Sequence, residues 1–168
     1  MPSTIEIDDA READLPAIRT LLLRYSRDIR INLAYQGFQD EVATLPHPYV
    51  SPGGALLVAR QVERLVGMAA YRPFGPTTAE VKRMYVLPEA QGRGLGRALL
   101  QGLIARATAA GYRSLRLDTH RPSMGAAIRL YASLGFREID GYGTNPGGEI
   151  AFFEKSLDQV ATVTDRNG

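Results

Sequence analysis

The sequence contains no cysteine. This absence excludes disulfide bonds, thiolate nucleophiles and cysteine-ligated metal sites, so any catalysis would have to use oxygen or nitrogen groups. It also fits a reducing compartment, and we expect a cytoplasmic protein. The histidines, His47 and His120, lie far apart without the spacing of metal ligands. We therefore predict no metal site.

The chain also lacks a long apolar segment and a marked excess of either charge. No uninterrupted apolar stretch approaches the roughly 20 residues that span a bilayer, and the first residues show no basic segment followed by an apolar run. The 20 basic and 18 acidic residues give a formal net charge of only +2, which does not indicate a nucleic-acid-binding surface. We expect one soluble domain over residues 1–156 with a polar tail at 157–168, binding neither membrane nor nucleic acid.

Apolar residues recur with two different periods along the chain, which predicts both strands and helices. Helices are predicted over residues 15–29, 38–43, 94–110 and 123–134. Strands are predicted over residues 4–7, 55–60, 65–71, 80–87, 114–119, 136–139 and 150–153. The order indicates a sheet covered by helices rather than a helical bundle.

A glycine-rich segment, Gln91-Gly92-Arg93-Gly94-Leu95-Gly96, lies between a predicted strand and a predicted helix. Such a turn suits a diphosphate, because a helix start presents N–H groups and the positive end of the helix dipole, and glycine permits close approach. Arg93 and Arg97 add positive charge that could reach phosphate groups, although exposed arginines are common near helix starts. No Lys-Ser/Thr pair follows the loop, which argues against a phosphate-loop nucleotide hydrolase.

Together with its surroundings, this loop resembles the signature of the GCN5-related N-acetyltransferase family. The pattern Gln/Arg-x-x-Gly-x-Gly/Ala is met by Gln91, Gly94 and Gly96, directly after the strand segment Val-Lys-Arg-Met-Tyr-Val at residues 81–86. The block Ala-Ala-Ile-Arg-Leu-Tyr at 126–131 is also similar. The resemblance spans the chain and implies an acetyl-coenzyme A-dependent N-acetyltransferase. Its fold would be a single mixed α/β domain of six to seven mostly antiparallel strands, with helices on both faces and a parallel strand pair that splays at the coenzyme site.

The resemblance implies which residues hold the coenzyme. Backbone groups at 84–86 would pair with the pantetheine arm as a peptide strand would, and those at 91–96 would hold the pyrophosphate, with help from Arg97. The coenzyme-binding residues predicted in this way are Met84, Tyr85, Val86, Gln91, Gly92, Arg93, Gly94, Leu95, Gly96 and Arg97.

Two catalytic residues are implied as well. Glu80 matches a general base that acts directly or through water, and Tyr131 matches a phenol that protonates the departing thiolate. Each has a structural alternative: Glu80 as a solvated charge at a strand start, and Tyr131 as a packed core residue. Regular strand alternation would place Glu80, Lys82, Met84 and Val86 on one face of the sheet.

Acceptor recognition is predicted to come from the variable segments 30–54 and 142–148, where glycines and prolines break regular structure. Candidates for holding a polar or carboxylated amine are Arg30, Tyr35, Tyr142 and Asn145. The leading interpretation is the amine of a small molecule or amino acid. A protein or peptide acceptor and a non-catalytic acyl-coenzyme A sensor stay open as alternatives. The family resemblance also makes a homodimer an expectation.

Overall fold

Seven strands form one sheet in the computed structural model, which describes residues 4–28, 38–120, 125–141 and 148–157. The strands are β1 (Ile5–Asp9), β2 (Ala55–Gln61), β3 (Arg64–Pro73), β4 (Thr78–Val86), β5 (Ser114–His120), β6 (Arg137–Ile139) and β7 (Ile150–Ser156). The helices are α1 (Leu15–Asp28), α2 (Phe38–Thr44), α3 (Leu95–Ala109) and α4 (Gly125–Ser133). The strand order across the sheet is β1-β2-β3-β4-β5-β7-β6, which confirms the predicted α/β domain.

The central strands β4 and β5 run parallel, whereas every other neighbouring pair among the described strands is antiparallel. Pairing between β4 and β5 extends only from Thr78 opposite Ser114 to Glu80 opposite Arg116. Beyond Glu80 the two strands diverge, and β4 continues to Val86. The opening between residues 81–86 of β4 and 117–120 of β5 is called the splay below. It confirms the predicted parallel pair that separates within the sheet.

Helices α1 and α3 cover opposite faces of the sheet, as two adjacent residues of β4 demonstrate. Tyr85 packs edge-to-face on Tyr25 of α1, with ring centroids 5.7 Å apart. Val86 instead points to the α3 face: a Cβ atom on Gly67 of β3 would lie 3.4 Å from Val86 Cγ2 and 3.3 Å from Leu99 Cδ1 of α3. Side chains of both helices are fully buried in the core, among them Ile18, Leu22, Leu99, Leu100 and Leu103. Burial of this apolar surface provides the main favourable term for folding.

The start of α1 is fixed to β2 by a charged contact. A short 3-10 turn over Glu12–Asp14 leads into the helix, and the Asp14 carboxylate accepts two hydrogen bonds from Arg60, both of 2.9 Å. These bonds, together with the backbone N–H of Arg11, lower the pKa of Asp14 against the opposing effect of burial. The apolar residues of α1 are thereby aligned with the sheet.

The segments predicted from apolar periodicity correspond to the observed elements, with shifted ends. β1 reaches Asp9 rather than residue 7. α4 begins at Gly125 in the structure, and the predicted capping residue Ser123 lies outside the described residues, as do residues 158–168 of the predicted tail. Leu157 is buried, and its N–H donates to the Arg113 carbonyl at 2.9 Å. None of the helices in the described ranges is long and apolar enough to cross a membrane.

Candidate active site

A β-bulge interrupts β4 at the edge of the splay. Pairing with β3 passes from Lys82 opposite Ala70 to Tyr85 opposite Met68, so β4 contains one extra residue at this point. Within the bulge, Arg83 adopts a left-handed φ of 59°, which is rare for a side chain of this size. The bulge changes the direction in which the following side chains point.

The prediction that Glu80, Lys82, Met84 and Val86 share a face is wrong, because the extra residue shifts the alternation. Glu80 and Lys82 lie on the α1 face, where they are joined by an ion pair. Arg83 within the bulge and Tyr85 directly after it both contact Tyr25 of α1. Val86 accordingly points to the α3 face.

Arg83 is held in place by Glu41 of α2. Its Nε and Nη2 atoms donate to the two carboxylate oxygens at 2.7 and 2.8 Å, and the side chains are only 4% and 7% exposed. Burial alone would lower the pKa of Arg83, but the bond and the charge of Glu41 outweigh it and raise the pKa. This buried pair fixes α2 over the bulge. Sequence reasoning missed both residues, although a charged residue within an apolar strand is itself a signal.

Glu80 lies at the closed end of the splay, in the last residue pair between β4 and β5. Its side chain is 5% exposed, and Oε1 accepts hydrogen bonds of 3.3 Å from both Nε and Nη2 of Arg72. The other oxygen, Oε2, lies 3.8 Å from Nζ of Lys82. The carboxylate of Glu80 is therefore enclosed between two cations, and its role as general base stays a prediction.

Asp118 of β5 faces Lys82 across the splay. The Lys82 Nζ atom lies 3.7 Å from Oδ2 of Asp118, and the side chains are 11% and 31% exposed respectively. Asp118 is two residues past Arg116, at which β4–β5 pairing ends. It is thus more accessible than Glu80 and lies within the opening itself. The sequence analysis did not single out Asp118, because nothing in the sequence indicates that β5 diverges before this residue.

Tyr131 of α4 is buried beside the splay. Its ring packs against Phe136 and Phe153, with centroids 6.1 and 5.8 Å away. Burial raises the pKa of Tyr131, and the nearby Tyr25 and Asp118 raise it further. The phenol is therefore protonated at neutral pH and can act as a proton donor. Tyr131 thus has both the packed surroundings of its structural alternative and the protonation state that the catalytic role requires.

The glycine-rich loop connects the end of β4 to the start of α3. Gly92 and Gly94 have φ values of +83° and +75°, and a Cβ atom on either would meet nothing within 4 Å. Gly94 is the N-cap of α3, whose first turn contains no acidic residue and receives no side-chain cap. N–H groups at such a helix start lack intrahelical partners and attract anions. The side chain of Gln91 donates to the Val86 carbonyl at 3.1 Å, which holds the loop beside the splay.

The other residues predicted to bind coenzyme near this loop occupy different environments. The Leu95 side chain is buried in the core, so only its backbone could reach a ligand. Arg97 donates from Nη2 to the Ser133 hydroxyl at 2.7 Å and thereby links α3 to α4. A Cβ on Gly96 would lie 3.5 Å from Leu130, so the two helices approach closely there. The Arg93 side chain is exposed.

The structure brings the backbone at 84–86, the loop at 91–97, Tyr131 and the charged residues of the splay into one region. The predicted acceptor-binding residues Arg30, Tyr35, Tyr142 and Asn145 lie outside the described residues. Within the segment 38–54, the buried residues Glu41, Leu45 and Tyr49 show that this predicted loop carries packed structure.

Comparison with known proteins decides what this arrangement is. The sequence model described as the acetyltransferase (GNAT) family matches residues 15–136 of the chain. The chain belongs to the GNAT acetyltransferase family. The resemblance predicted from the sequence is thereby confirmed, together with the class of enzyme, an N-acetyltransferase whose co-substrate is acetyl-coenzyme A.

Individual GNAT relatives are similar over nearly the whole chain. An uncharacterized N-acetyltransferase of Schizosaccharomyces pombe is 34% identical over 159 residues, covering 93% of this chain and 97% of the relative. A phosphinothricin N-acetyltransferase of Streptomyces coelicolor is 31% identical over 179 residues, covering 94% and 100%. Among solved structures, yncA of Salmonella typhimurium with its cofactor acetyl-CoA has a TM-score of 0.66 and 25% identity, over 94% and 96% of the two chains.

The Glu41–Arg83 pair predicts a large asymmetry between neighbouring residues of α2. Glu41→Gln should lower the free energy of unfolding by about 3 kcal/mol at pH 7, because it leaves the buried Arg83 guanidinium without its counter-charge. Asp40→Asn, at the adjacent exposed position, should change it by less than about 0.5 kcal/mol. Urea unfolding of both variants measures the difference. Equal, small effects would contradict the assigned role of the pair.

Proposed function

We propose that this GNAT acetyltransferase transfers the acetyl group of acetyl-coenzyme A to the primary amine of a small molecule, with an amino acid as the preferred class. The observation that carries the proposal is the splay between β4 and β5, which is bordered by an anion-attracting helix start and by a protonated tyrosine. These features provide, in one place, a backbone edge for an extended donor, a seat for its phosphates and a proton source.

The residues present fit the coenzyme. The left-handed Gly92 and Gly94 leave open space where side chains would otherwise stand, which supports a pyrophosphate held by the N–H groups of 91–96. The divergence of β4 from β5 leaves room beside 84–86 for the pantetheine arm. The bond from Arg97 to Ser133 favours a role in joining α3 to α4, with phosphate contact as a secondary role. When bound, acetyl-coenzyme A supplies the activated acetyl group.

Tyr131 is the proposed proton donor to sulfur. Its burial keeps the phenol neutral, and its position beside the splay supports a contact with the sulfur of the departing thiolate. A backbone N–H of Met84 or Val86 is proposed to stabilise the negative charge that develops on the acetyl oxygen. The sequence-based prediction of Glu80 as general base is not carried into this proposal, because Arg72 and Lys82 already contact the two oxygens of its buried carboxylate.

Two observations support a small, polar acceptor. The α1 face of the splay carries charges of both signs, contributed by Arg72, Glu80, Lys82 and Asp118. Such a surface suits a compact, charged molecule better than an apolar one. A relative that is similar over the full chain is named for phosphinothricin. A cytoplasmic location, supported by the absence of cysteine, and a homodimer, supported by the family resemblance, belong to the same proposal.

Gly94→Ala tests the proposed pyrophosphate seat. A Cβ at this left-handed residue costs about 1 kcal/mol of backbone strain and would project into the space assigned to phosphate. We expect acetyl-coenzyme A affinity, measured by calorimetry, to fall by about tenfold or more. The control is Gly111→Ala, since Gly111 has a φ of +93° in open surroundings near the other end of α3. It should show the same loss of stability with unchanged affinity. Unchanged affinity in Gly94→Ala would contradict the seat.

Tyr131→Phe tests the proton donor. We expect turnover to fall by roughly 100-fold, while acetyl-coenzyme A affinity stays the same, because only the hydroxyl is removed. Coenzyme A release by the wild type should first be followed across the protein amino acids, phosphinothricin, spermidine and short peptides to identify the best acceptor. Tyr112→Phe is the control, since its hydroxyl bonds the Gly53 carbonyl away from the splay. Full turnover in Tyr131→Phe would leave Tyr131 with a packing role only.

A further inference from the structure

We propose that Asp118, rather than Glu80, accepts the proton of the acceptor's ammonium group, and that Lys82 positions the Asp118 carboxylate. This inference rests on the proposed function and assigns its proton acceptor to a residue of β5. Two carboxylates, those of Glu80 and Asp118, flank Lys82 on the α1 face of the splay.

The two carboxylates differ in their position along the splay and in their accessibility. Glu80 lies where β4 and β5 are still paired, and its side chain is 5% exposed. Asp118 lies past the last residue pair, and its side chain is 31% exposed. An amine that enters the splay therefore meets Asp118 first, whereas Glu80 is reached only past Lys82 and Arg72.

The two carboxylates also differ in the partners that they already have. Glu80 accepts two hydrogen bonds from Arg72 and forms an ion pair with Lys82. For Asp118, the ion pair found in the described part of the chain is with Lys82, at 3.7 Å, longer than a hydrogen bond. The carboxylate of Asp118 thus retains capacity to accept a hydrogen bond from an incoming ammonium group.

Asp118 is also electrostatically coupled to the proposed proton donor. Burial is the main cause of the raised pKa of Tyr131 on α4 and of Tyr25 on α1, and the charge of Asp118 contributes to both. The Tyr131 ring also packs on Phe153 of β7, the pairing partner of Leu117, which directly precedes Asp118. The charged and titratable groups that surround it are Lys82 and Glu80 on β4, Arg116 on β5, Glu154 on β7, Tyr25 on α1 and Tyr131 on α4. Proton acceptor and proton donor therefore border the same opening.

Lys82 contributes through its charge. A cation close to a bound ammonium group disfavours the charged form of that group and so promotes loss of its proton. Glu80 and Asp118 hold Lys82 from two sides at 3.8 and 3.7 Å. In this account Glu80 acts as a positioning residue for Lys82, which explains why it is buried and fully partnered.

The acceptor nitrogen loses two protons on passing from an ammonium group to an amide. Asp118 takes one proton from the acceptor ammonium, and the neutral nitrogen forms a bond with the acetyl carbon as the carbon–sulfur bond breaks. Tyr131 donates a proton to the sulfur, and the second proton lost by the nitrogen restores Tyr131. Asp118 releases the first proton to solvent. One amide, one thiol and one free proton result from each transfer.

Two small probes test this role without knowledge of the natural acceptor. Ethylamine is protonated at pH 7 and needs a proton acceptor, whereas hydroxylamine is neutral and does not. Coenzyme A release with each probe should be measured at high concentration, with a blank lacking enzyme. Asp118→Asn should reduce transfer to ethylamine by about 100-fold and leave transfer to hydroxylamine and acetyl-coenzyme A affinity near the wild-type values. The retained activity with hydroxylamine also shows that the variant is folded.

Two matched variants make the outcome specific. Glu80→Gln should keep the wild-type ratio between the two probes, even if overall turnover falls. Asp9→Asn should match the wild type with both probes, because Asp9 lies on β1 in an exposed ion pair with Arg106 of α3. The inference would be overturned if Asp118→Asn lost equal turnover with both probes, or lost none with ethylamine. A selective loss of ethylamine turnover in Glu80→Gln would also overturn it. Failure of the wild type to release coenzyme A with the two probes and with every amine of the acceptor panel, despite binding acetyl-coenzyme A, would instead count against the proposed function.

Discussion

The site depends on one constraint: β4 and β5 start as paired parallel strands and then separate. Three residue pairs join them, ending at Glu80 and Arg116. Beyond this point the bulge at Arg83 turns β4, and the buried bond to Glu41 fixes that turn to α2. The cost of burying two charges is met only because the pair is bidentate. The opening proposed to receive the donor is therefore built into the sheet.

The charged residues of the site differ in how deeply they lie within this opening. Glu80, at the closed end, is enclosed by Arg72 and Lys82, whereas Asp118 lies past the last residue pair between β4 and β5 and is more exposed. A buried carboxylate with two cationic partners is suited to holding its neighbours in place. A partly exposed carboxylate whose nearest described cation is 3.7 Å away is suited to exchange protons. Both roles follow from where the two strands stop pairing.

Sequence reasoning predicted the elements, the mixed sheet and the glycine loop, because apolar periodicity and glycine punctuation are local signals. It assigned the wrong face to Val86, since the bulge arises from pairing with β3 and from the Arg83–Glu41 contact between distant segments. Asp118 escaped notice for a similar reason: its importance comes from the divergence of β5 from β4. The face on which Val86 lies and the position of Asp118 in the opening thus depend on strand pairing between distant segments, which local sequence patterns do not predict.

Amide hydrogen exchange with and without coenzyme A tests the central claim most directly, because it maps protection residue by residue. Saturating coenzyme A should slow exchange at residues 84–86, beside the splay, and at 91–97, at the start of α3. Exchange in the separate cleft lined by Ala10, Glu12 and Arg106 should not change. Protection of that cleft, with none at 84–86 and 91–97, would contradict the placement of the coenzyme in the splay.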